Sequence, residues 1–149
     1  MKIVIAMDGS KCSKAALAFV RRVMLPPASP ITVVSAVFPP ILAQPDVYVG
    51  APAAAEQLME QETRAYQELA TQTAKELRDA GYPTEARVLA GDPRDVILKV
   101  AQDAGAELIV VGSHGRTGLA KLLMGSVATH VVTHAKQSVL VVKAEGASA

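Results

Sequence analysis

A glycine-rich segment in the last third of the chain has the residue types and the spacing to bind a phosphate. Gly112, Gly115 and Gly125, with Ser126 directly after the third, follow the apolar run 108–111. A loop between a buried strand and a helix offers unpaired backbone N–H groups and a partial positive charge. Because glycine has no Cβ, an anion can approach those N–H groups closely. The segment therefore predicts a nucleotide-phosphate site, in which the Ser126 hydroxyl donates to a phosphate oxygen or reaches a bound Mg²⁺. The alternative is a set of ordinary loop and cap residues.

The spacing of these residues, G-x2-G-x9-G-[ST], resembles the ATP-binding signature of the universal stress protein family. The resemblance covers nearly the whole chain, since residues 1–10, followed by Ser13, Ala16 and Leu17, look like the opening strand and first helix of that family. Residues 138–143 resemble its closing strand. The family resemblance implies ATP, with Mg²⁺, as the ligand and a homodimer as the assembly.

The resemblance also implies binding roles for residues whose side chains are too ordinary to mark them. These residues are Ala6, Met7, Asp8, Val37 and Val127. Ala6 and Met7 would flank the nucleoside, the backbone of Val37 would read the adenine edge, and Asp8 would accept hydrogen bonds from the ribose. For Asp8 two alternatives remain open, which are contact with a metal-bound water and a simple Asx turn before Gly9.

Three further residues of the glycine-rich segment carry groups that could act on a phosphate. Arg116 and Lys121 could neutralise phosphate charge, or they could be solvated surface residues. His114 could titrate near a γ-phosphate, although a loop histidine is more often structural.

Cysteine and the remaining histidines offer weaker signals. Cys12 is expected in the first turn of a helix, where the helix dipole favours a thiolate, but a single cysteine is more often a packing residue. His130 and His134 have the i, i+4 spacing that can chelate a metal, and we interpret them as surface residues because no acidic or cysteine partner accompanies them.

The elements that must position these residues alternate between strand and helix. Short apolar or alternating runs predict strands at 3–7, 31–37, 85–90, 108–111 and 139–142. Helical periodicity follows each of the first four, at 10–25, 53–80, 93–104 and 126–135, with Val127, Val131 and Val132 facing inward in the last helix. Ser10 and Asp92 are expected to cap the first and third of these helices, with Pro93 at the first helical position of the third. This order predicts an α/β fold with a doubly wound, five-stranded parallel sheet and four helices.

The family's Rossmann-like strand order, 3-2-1-4-5, places the reversal of winding between the first and fourth strands. Ligands of such sheets bind beyond the carboxyl ends of the strands at that reversal. Asp8 and Gly112 end those two strands, so both sequence signals converge on one crevice. The segment 38–52 contains too many prolines and glycines for regular structure, and it is either a lid over a ligand or a surface connection.

Composition limits the class of protein. The 149 residues are 50% hydrophobic but only 3% aromatic, which predicts one domain, 1–149, with an aliphatic core and a frayed tail at 144–149. A net charge of +1 without a basic run argues against nucleic acid. The absence of a long apolar window and the single cysteine argue against a membrane span and for a cytoplasmic protein.

We hypothesise three functions for this chain. The first is an ATP-binding stress or signalling module that hydrolyses ATP slowly or not at all and whose nucleotide state is read by an unidentified partner protein. The second is an ATPase or phosphotransferase with His114 or Asp8 as its base. The third is a nucleotide-free, chaperone-like dimerisation module. The apolar run 139–142 would pair two copies in a homodimer, because an apolar edge strand must be paired or covered.

Overall fold

The computed structural model describes residues 1–23, 25–39, 52–116 and 124–145. In these ranges five strands alternate with four helices. They are β1 Ile3–Ala6, α1 Lys11–Arg22, β2 Ile31–Val37, α2 Pro52–Asp79, β3 Thr84–Ala90, α3 Pro93–Asp103, β4 Leu108–Gly112, α4 Ser126–His134 and β5 Ser138–Val142. Three stretches lie outside the described residues: 40–51 of the segment 38–52, which was expected to be a lid or a surface connection; 117–123, which includes Lys121; and 146–149 of the expected tail at 144–149.

The sheet is parallel throughout and has the order β3-β2-β1-β4-β5. β1 is central, since Ile3 pairs with Ile31 of β2 on one side and with Leu108 of β4 on the other. The predicted doubly wound α/β fold is therefore confirmed. Winding reverses between β1 and β4, as the sequence analysis expected.

Aliphatic side chains from alternate strand positions build a separate core on each face of the sheet. Ile5 of β1 faces α1 and α2, where it joins Leu17 and Leu77. Its neighbour Val4 faces α3 and α4 and packs with Val100 and Val131. Successive residues of a strand point to opposite faces, so runs buried on both faces read as continuously apolar in the sequence.

Two helices begin at the capping residues that the sequence predicts. The Ser10 hydroxyl accepts a hydrogen bond from the Ser13 N–H at 3.1 Å at the start of α1. The Asp92 carboxylate accepts one from the Arg94 N–H at 2.9 Å at the start of α3, with Pro93 as the first helical residue. Both caps lie at the carboxyl end of the sheet, where they fix the first residues of α1 and α3.

The prediction that Val132 faces inward is wrong. Val132 is 46% exposed, whereas Val131 is fully buried. The face of α4 that packs against the sheet carries Ala128 and Val131, and Val132, about 100° further round the helix, points away from it. No helix in the described ranges is both long and apolar enough to cross a bilayer.

Candidate functional site

A cavity of about 650 Å³ opens at the carboxyl edge of the sheet, where β1 and β4 end. The first turns of α3 and α4 and the middle of α2 complete its walls. Most of the residues predicted to bind a ligand line it: Ala6, Met7, Asp8, Gly112, Gly115, Gly125, Ser126 and Val127. The structure thus brings together residues that are more than a hundred positions apart in the sequence.

The two carboxylate oxygens of Asp8 have different surroundings. Oδ1 accepts a hydrogen bond from the Ser10 N–H at 2.9 Å, which is the Asx turn that the sequence analysis named as an alternative. Gly9 between them has φ +78°, a conformation that favours glycine. Oδ2 lies 3.1 Å from the position that a Cβ on Gly115 would occupy. This oxygen therefore lies close to the described start of the loop after β4, residues 113–116, which we call the glycine loop.

The hydroxyl of Ser10 joins the loop after β1 to the loop after β4. It caps α1, as described above, and it also donates to the His114 carbonyl oxygen at 3.3 Å. The two loops that carry the sequence-predicted residues are therefore held at a fixed separation by one side chain.

Gly112 is required by packing at the end of β4, and its predicted contact with a phosphate stays a prediction. A Cβ at this position would lie 2.7 Å from both the carbonyl carbon and the Cβ of Cys12, closer than such atoms can approach. Glycine at the end of β4 therefore lets the first turn of α1 pack directly against that strand.

Gly125 also has a structural role. Its N–H donates to the Ser113 carbonyl oxygen at 2.7 Å, and a Cβ would lie 3.2 Å from the His114 Cα. This N–H is therefore engaged within the protein, and the predicted contact of Gly125 with a phosphate stays a prediction. The bond places the start of α4 against the loop after β4.

The first turn of α4 points its backbone toward the cavity. Ser126, Val127 and Ala128 line the cavity, and Gly125 occupies the N-cap position, so in the described part of the chain no side chain caps this helix. The first N–H groups of a helix have no acceptor within the helix, and they carry its partial positive charge. This turn can accept an anion.

Arg116 is held across the mouth of the cavity by α2. Its Nη1 donates to the Tyr66 hydroxyl at 3.1 Å, and its guanidinium lies 5.7 Å from the centroid of the Tyr66 ring. Glu62, one turn earlier in α2, is 3.8 Å from the same nitrogen. The hydrogen bond with Tyr66 raises the pKa of Arg116, and the nearby Glu62 carboxylate acts in the same direction. We call Arg116, Tyr66 and Glu62 the rim triad.

Cys12 is buried beneath the glycine loop. Its Sγ lies 3.5 Å from the Ser113 hydroxyl, which is 3.1 Å from Nδ1 of His114. Burial raises the pKa of the Cys12 thiol, but hydrogen bonds with Ser113 and with the backbone of Ala144 and His114 outweigh it and leave the pKa below its ordinary value. The thiol is only 4% exposed, which favours the packing interpretation.

His130 and His134 lie on α4 away from the cavity. Their rings stack with centroids 4.0 Å apart, and Nδ1 of His134 is 2.9 Å from the His130 carbonyl oxygen. Among the residues that the structure describes, no three His, Cys, Asp or Glu side chains come together to hold a metal ion.

Sequence reasoning missed the apolar wall of the cavity. Alternate residues at the end of β2 supply part of it, and α3 supplies the rest: Val34, Ala36, Phe38, Pro93 and Ile97. The period of two in β2 was the available signal. Val37 lies between Ala36 and Phe38, does not line the cavity, and accepts a hydrogen bond from the Gly91 N–H at 2.9 Å. Its predicted role toward adenine stays a prediction.

The chain matches the model of the universal stress protein family over residues 1–143. It is 42% identical over 69 residues to universal stress protein MJ0577 of Methanocaldococcus jannaschii, covering 46% of this chain and 43% of that protein. It is 35% identical over 88 residues to universal stress protein Sll1388 of Synechocystis, covering 59% and 56%. The matches therefore span about half the length of these relatives.

Solved structures are similar over nearly the whole chain. The structure of MJ0577 superposes with a TM-score of 0.81 at 27% identity and covers 95% of this chain and 94% of that one. A universal stress protein from Archaeoglobus fulgidus, solved in complex with dAMP, has a TM-score of 0.62 at 25% identity, with 96% and 98% covered.

Proposed function

Because this chain belongs to the universal stress protein family, we propose that it binds ATP with Mg²⁺ in the cavity at the carboxyl edge of its sheet. The observation that carries the proposal is the first turn of α4, whose uncapped N–H groups open onto the same cavity as Asp8. The dAMP complex of the Archaeoglobus fulgidus relative supports an adenine nucleotide as the ligand. The cavity volume of about 650 Å³ lies within the range of small-molecule sites.

The walls of the cavity suggest how the nucleotide lies. The phosphates occupy the first turn of α4, where Ser126, Val127 and Ala128 supply N–H donors. The ribose hydroxyls donate to Oδ2 of Asp8, the oxygen that the Asx turn leaves toward the glycine loop. The base packs against the apolar wall formed by β2 and α3.

Charge in the cavity favours a nucleotide that brings a cation. Of the described charged residues that line it, Asp8 and Glu62 are acidic and Arg116 is basic. ATP adds several negative charges, and Mg²⁺ bound to its phosphates would reduce the repulsion from the two carboxylates. The Asp8 carboxylate and the Ser126 hydroxyl are oxygen donors of the kind that Mg²⁺ accepts.

Binding is tested by the thermal stability of the protein in ATP and Mg²⁺. At about 100 times Kd the nucleotide adds roughly 2.7 kcal/mol, which raises Tm by about 5–10 °C in a domain of this size. Gly115→Val puts a branched side chain against Oδ2 of Asp8 and should remove the shift. Ala86→Val, on the exposed edge strand β3, is the matched control and should keep it. Equal shifts in both variants would contradict the site.

In this proposal the bound nucleotide is a signal, and the protein hydrolyses it slowly or not at all. The two bases that the sequence offers to an ATPase are held by neighbouring groups, since Nδ1 of His114 faces the Ser113 hydroxyl and Oδ1 of Asp8 accepts from the Ser10 N–H. We therefore expect turnover well below about 10 s⁻¹, the median for enzymes. Phosphate release above about 1 s⁻¹ that His114→Ala abolishes would favour the enzyme alternative.

The assembly in this proposal is a homodimer in the cytoplasm, joined through β5. Among the strands that the structure describes, β5 pairs with β4 alone, and its residues Val139, Leu140 and Val141 are partly exposed. An apolar edge of this kind is stabilised by pairing with a second copy. Light scattering should give twice the 15.5 kDa chain mass. Val141→Lys should halve that mass, and a dimer that survives it at low micromolar concentration would exclude this interface.

A further inference from the structure

We propose that the rim triad distinguishes nucleotides by the number of their phosphates: Arg116 binds the terminal phosphates, Tyr66 positions its guanidinium, and Glu62 competes with the phosphates for it. This inference rests on the proposed function and adds residues outside the glycine-serine motif. It makes the affinity of the site depend on a contact between α2 and the glycine loop.

The backbone of Arg116 lies beside the predicted phosphate donors, and its guanidinium reaches Tyr66 on another wall of the cavity. Arg116 directly follows Gly115, whose N–H nitrogen lies 3.8 Å from the position of a Cβ on Gly125, the N-cap of α4. Both Arg116 and the first turn of α4 line the cavity. A phosphate chain that starts on α4 therefore extends toward the guanidinium.

Tyr66 fixes the guanidinium without neutralising it. The Tyr66 residue is only 9% exposed, and its hydroxyl receives the Nη1 donor at 3.1 Å while its ring lies beneath the cation. Arg116 has a long side chain that is 57% exposed, so a fixed partner removes much of the entropy cost of ordering it on a ligand. A neutral partner also leaves the full positive charge for an anion.

Glu62 opposes a bound phosphate. Its carboxylate is 3.8 Å from Nη1, too far for a hydrogen bond but close enough for charge attraction, and its side chain is 33% exposed. A phosphate oxygen that accepts from the same guanidinium must displace this attraction, and it meets repulsion from the carboxylate. AMP has a single phosphate, which sits on α4. It therefore neither displaces the attraction between Glu62 and Arg116 nor gains a contact with Arg116.

The test is isothermal titration of AMP, ADP and ATP, each with Mg²⁺, into wild type and four single variants. Arg116→Met should weaken ATP about tenfold and leave AMP unchanged, which is the loss expected for one charged hydrogen-bonded contact. Tyr66→Phe should give a smaller loss with the same preference for ATP. Glu62→Gln should strengthen ATP binding by about two- to fivefold, a change of opposite sign. Arg64→Met is the matched control, since Arg64 lies between Glu62 and Tyr66 in α2 but is exposed and does not line the cavity.

The outcomes separate this inference from the proposed function. If no adenine nucleotide binds the wild type, the proposed function fails and the inference fails with it. If AMP and ATP bind but their affinity ratio is the same in wild type, Arg116→Met and Glu62→Gln, the inference alone is overturned. An Arg116→Lys variant that restores part of the ATP preference would support a charge contact over a purely structural role.

Discussion

Backbone hydrogen bonds join neighbouring segments at both ends of the sheet, but at the carboxyl end a partly buried side chain also joins two of the loops. The amino-end bonds run from the N–H of Ile3 to Pro30, of Ile31 to Pro83, of Glu107 to Lys2 and of Ser138 to Glu107. At the carboxyl end, the Ser10 hydroxyl holds the loops of Asp8 and His114 together. Backbone hydrogen bonds do not depend on the side chain. Substitutions should therefore lower the free energy of unfolding less at the amino end than at the carboxyl end.

The two ends of β4 give the largest expected difference, because a glycine lies near each end for a different reason. Gly112→Ala forces a Cβ to within 2.7 Å of Cys12 and should lower the free energy of unfolding by about 3 kcal/mol. Gly105 precedes β4 with φ +60° and has only the end of the flexible Lys2 side chain nearby, so Gly105→Ala should cost about 1 kcal/mol. Urea denaturation measures both.

Substitution by asparagine distinguishes a glycine required by packing from a glycine required by backbone conformation. Asparagine accepts a left-handed conformation better than alanine, so Gly105→Asn should recover part of the loss. Gly112→Asn adds a larger side chain to the same collision and should be at least as unstable as Gly112→Ala. Recovery at both positions would show that backbone conformation, rather than packing, sets the requirement at the carboxyl end.

Ser10 gives the next largest effect. Ser10→Ala removes the cap of α1 and the bond to the His114 carbonyl oxygen, and it should lower the free energy of unfolding by about 1–2 kcal/mol. Ser138→Ala, at the exposed start of β5 at the amino end, should change it by less than about 0.5 kcal/mol. Chemical denaturation of both variants beside wild type checks the pair, and similar losses would remove the distinction between the two ends.

Asp92 makes part of the carboxyl-end stability depend on pH. The side chain of Arg94 lowers the pKa of the Asp92 carboxyl, so its ionised form is more stable in the folded protein than in the unfolded chain. That stability is fully present above the unfolded pKa of about 3.9 and is lost as pH falls through the lower folded pKa. Asp92→Asn keeps a capping side chain but loses the charge. Its deficit relative to wild type, smaller than that of Ser10→Ala, should shrink in thermal melts as pH falls below about 4 and should disappear once pH is below the folded pKa. A deficit independent of pH would contradict this cause.

The smallest effect is expected at the amino end. Glu107 accepts a hydrogen bond from the Lys2 N–H at 2.9 Å, but its side chain is 65% exposed. Glu107→Gln should change the free energy of unfolding by less than about 0.5 kcal/mol, because exposed pairs contribute little. A loss as large as that of Ser10→Ala, measured by the same denaturation, would show that side chains matter equally at both ends.

The sequence predicted the elements well because their signals are local. Continuous apolar runs marked the buried strands, and Ser10 and Asp92 marked two helix starts. Strand order depends on long-range pairing, and it came from the family resemblance rather than from periodicity. The exposure of Val132 was not predictable from hydrophobicity, since it depends on which face of α4 the sheet covers.

The candidate site was predictable only along the two loops that carry motifs. Asp8 and the glycine-serine segment stand at strand ends, and strand ends are visible in a sequence. Tyr66 and Glu62 belong to the middle of a long amphipathic helix, where nothing local distinguishes a cavity-lining residue from any other. The packing role of Gly112 was equally hidden, because it depends on Cys12, which is distant in sequence.

The central position of β1 also has a consequence for how this protein is made. Lys2 and Glu107, which are 105 residues apart, are hydrogen-bonded at the entry to β1 and β4. The ribosome synthesises β1 early. Its second neighbour in the sheet, β4, follows only after α3 has been synthesised. Closing so long a stretch of chain is slow, and the central strand stays exposed on one edge until it happens. Nascent chains of this fold are therefore most exposed to aggregation just before the cavity at the carboxyl edge of the sheet can form.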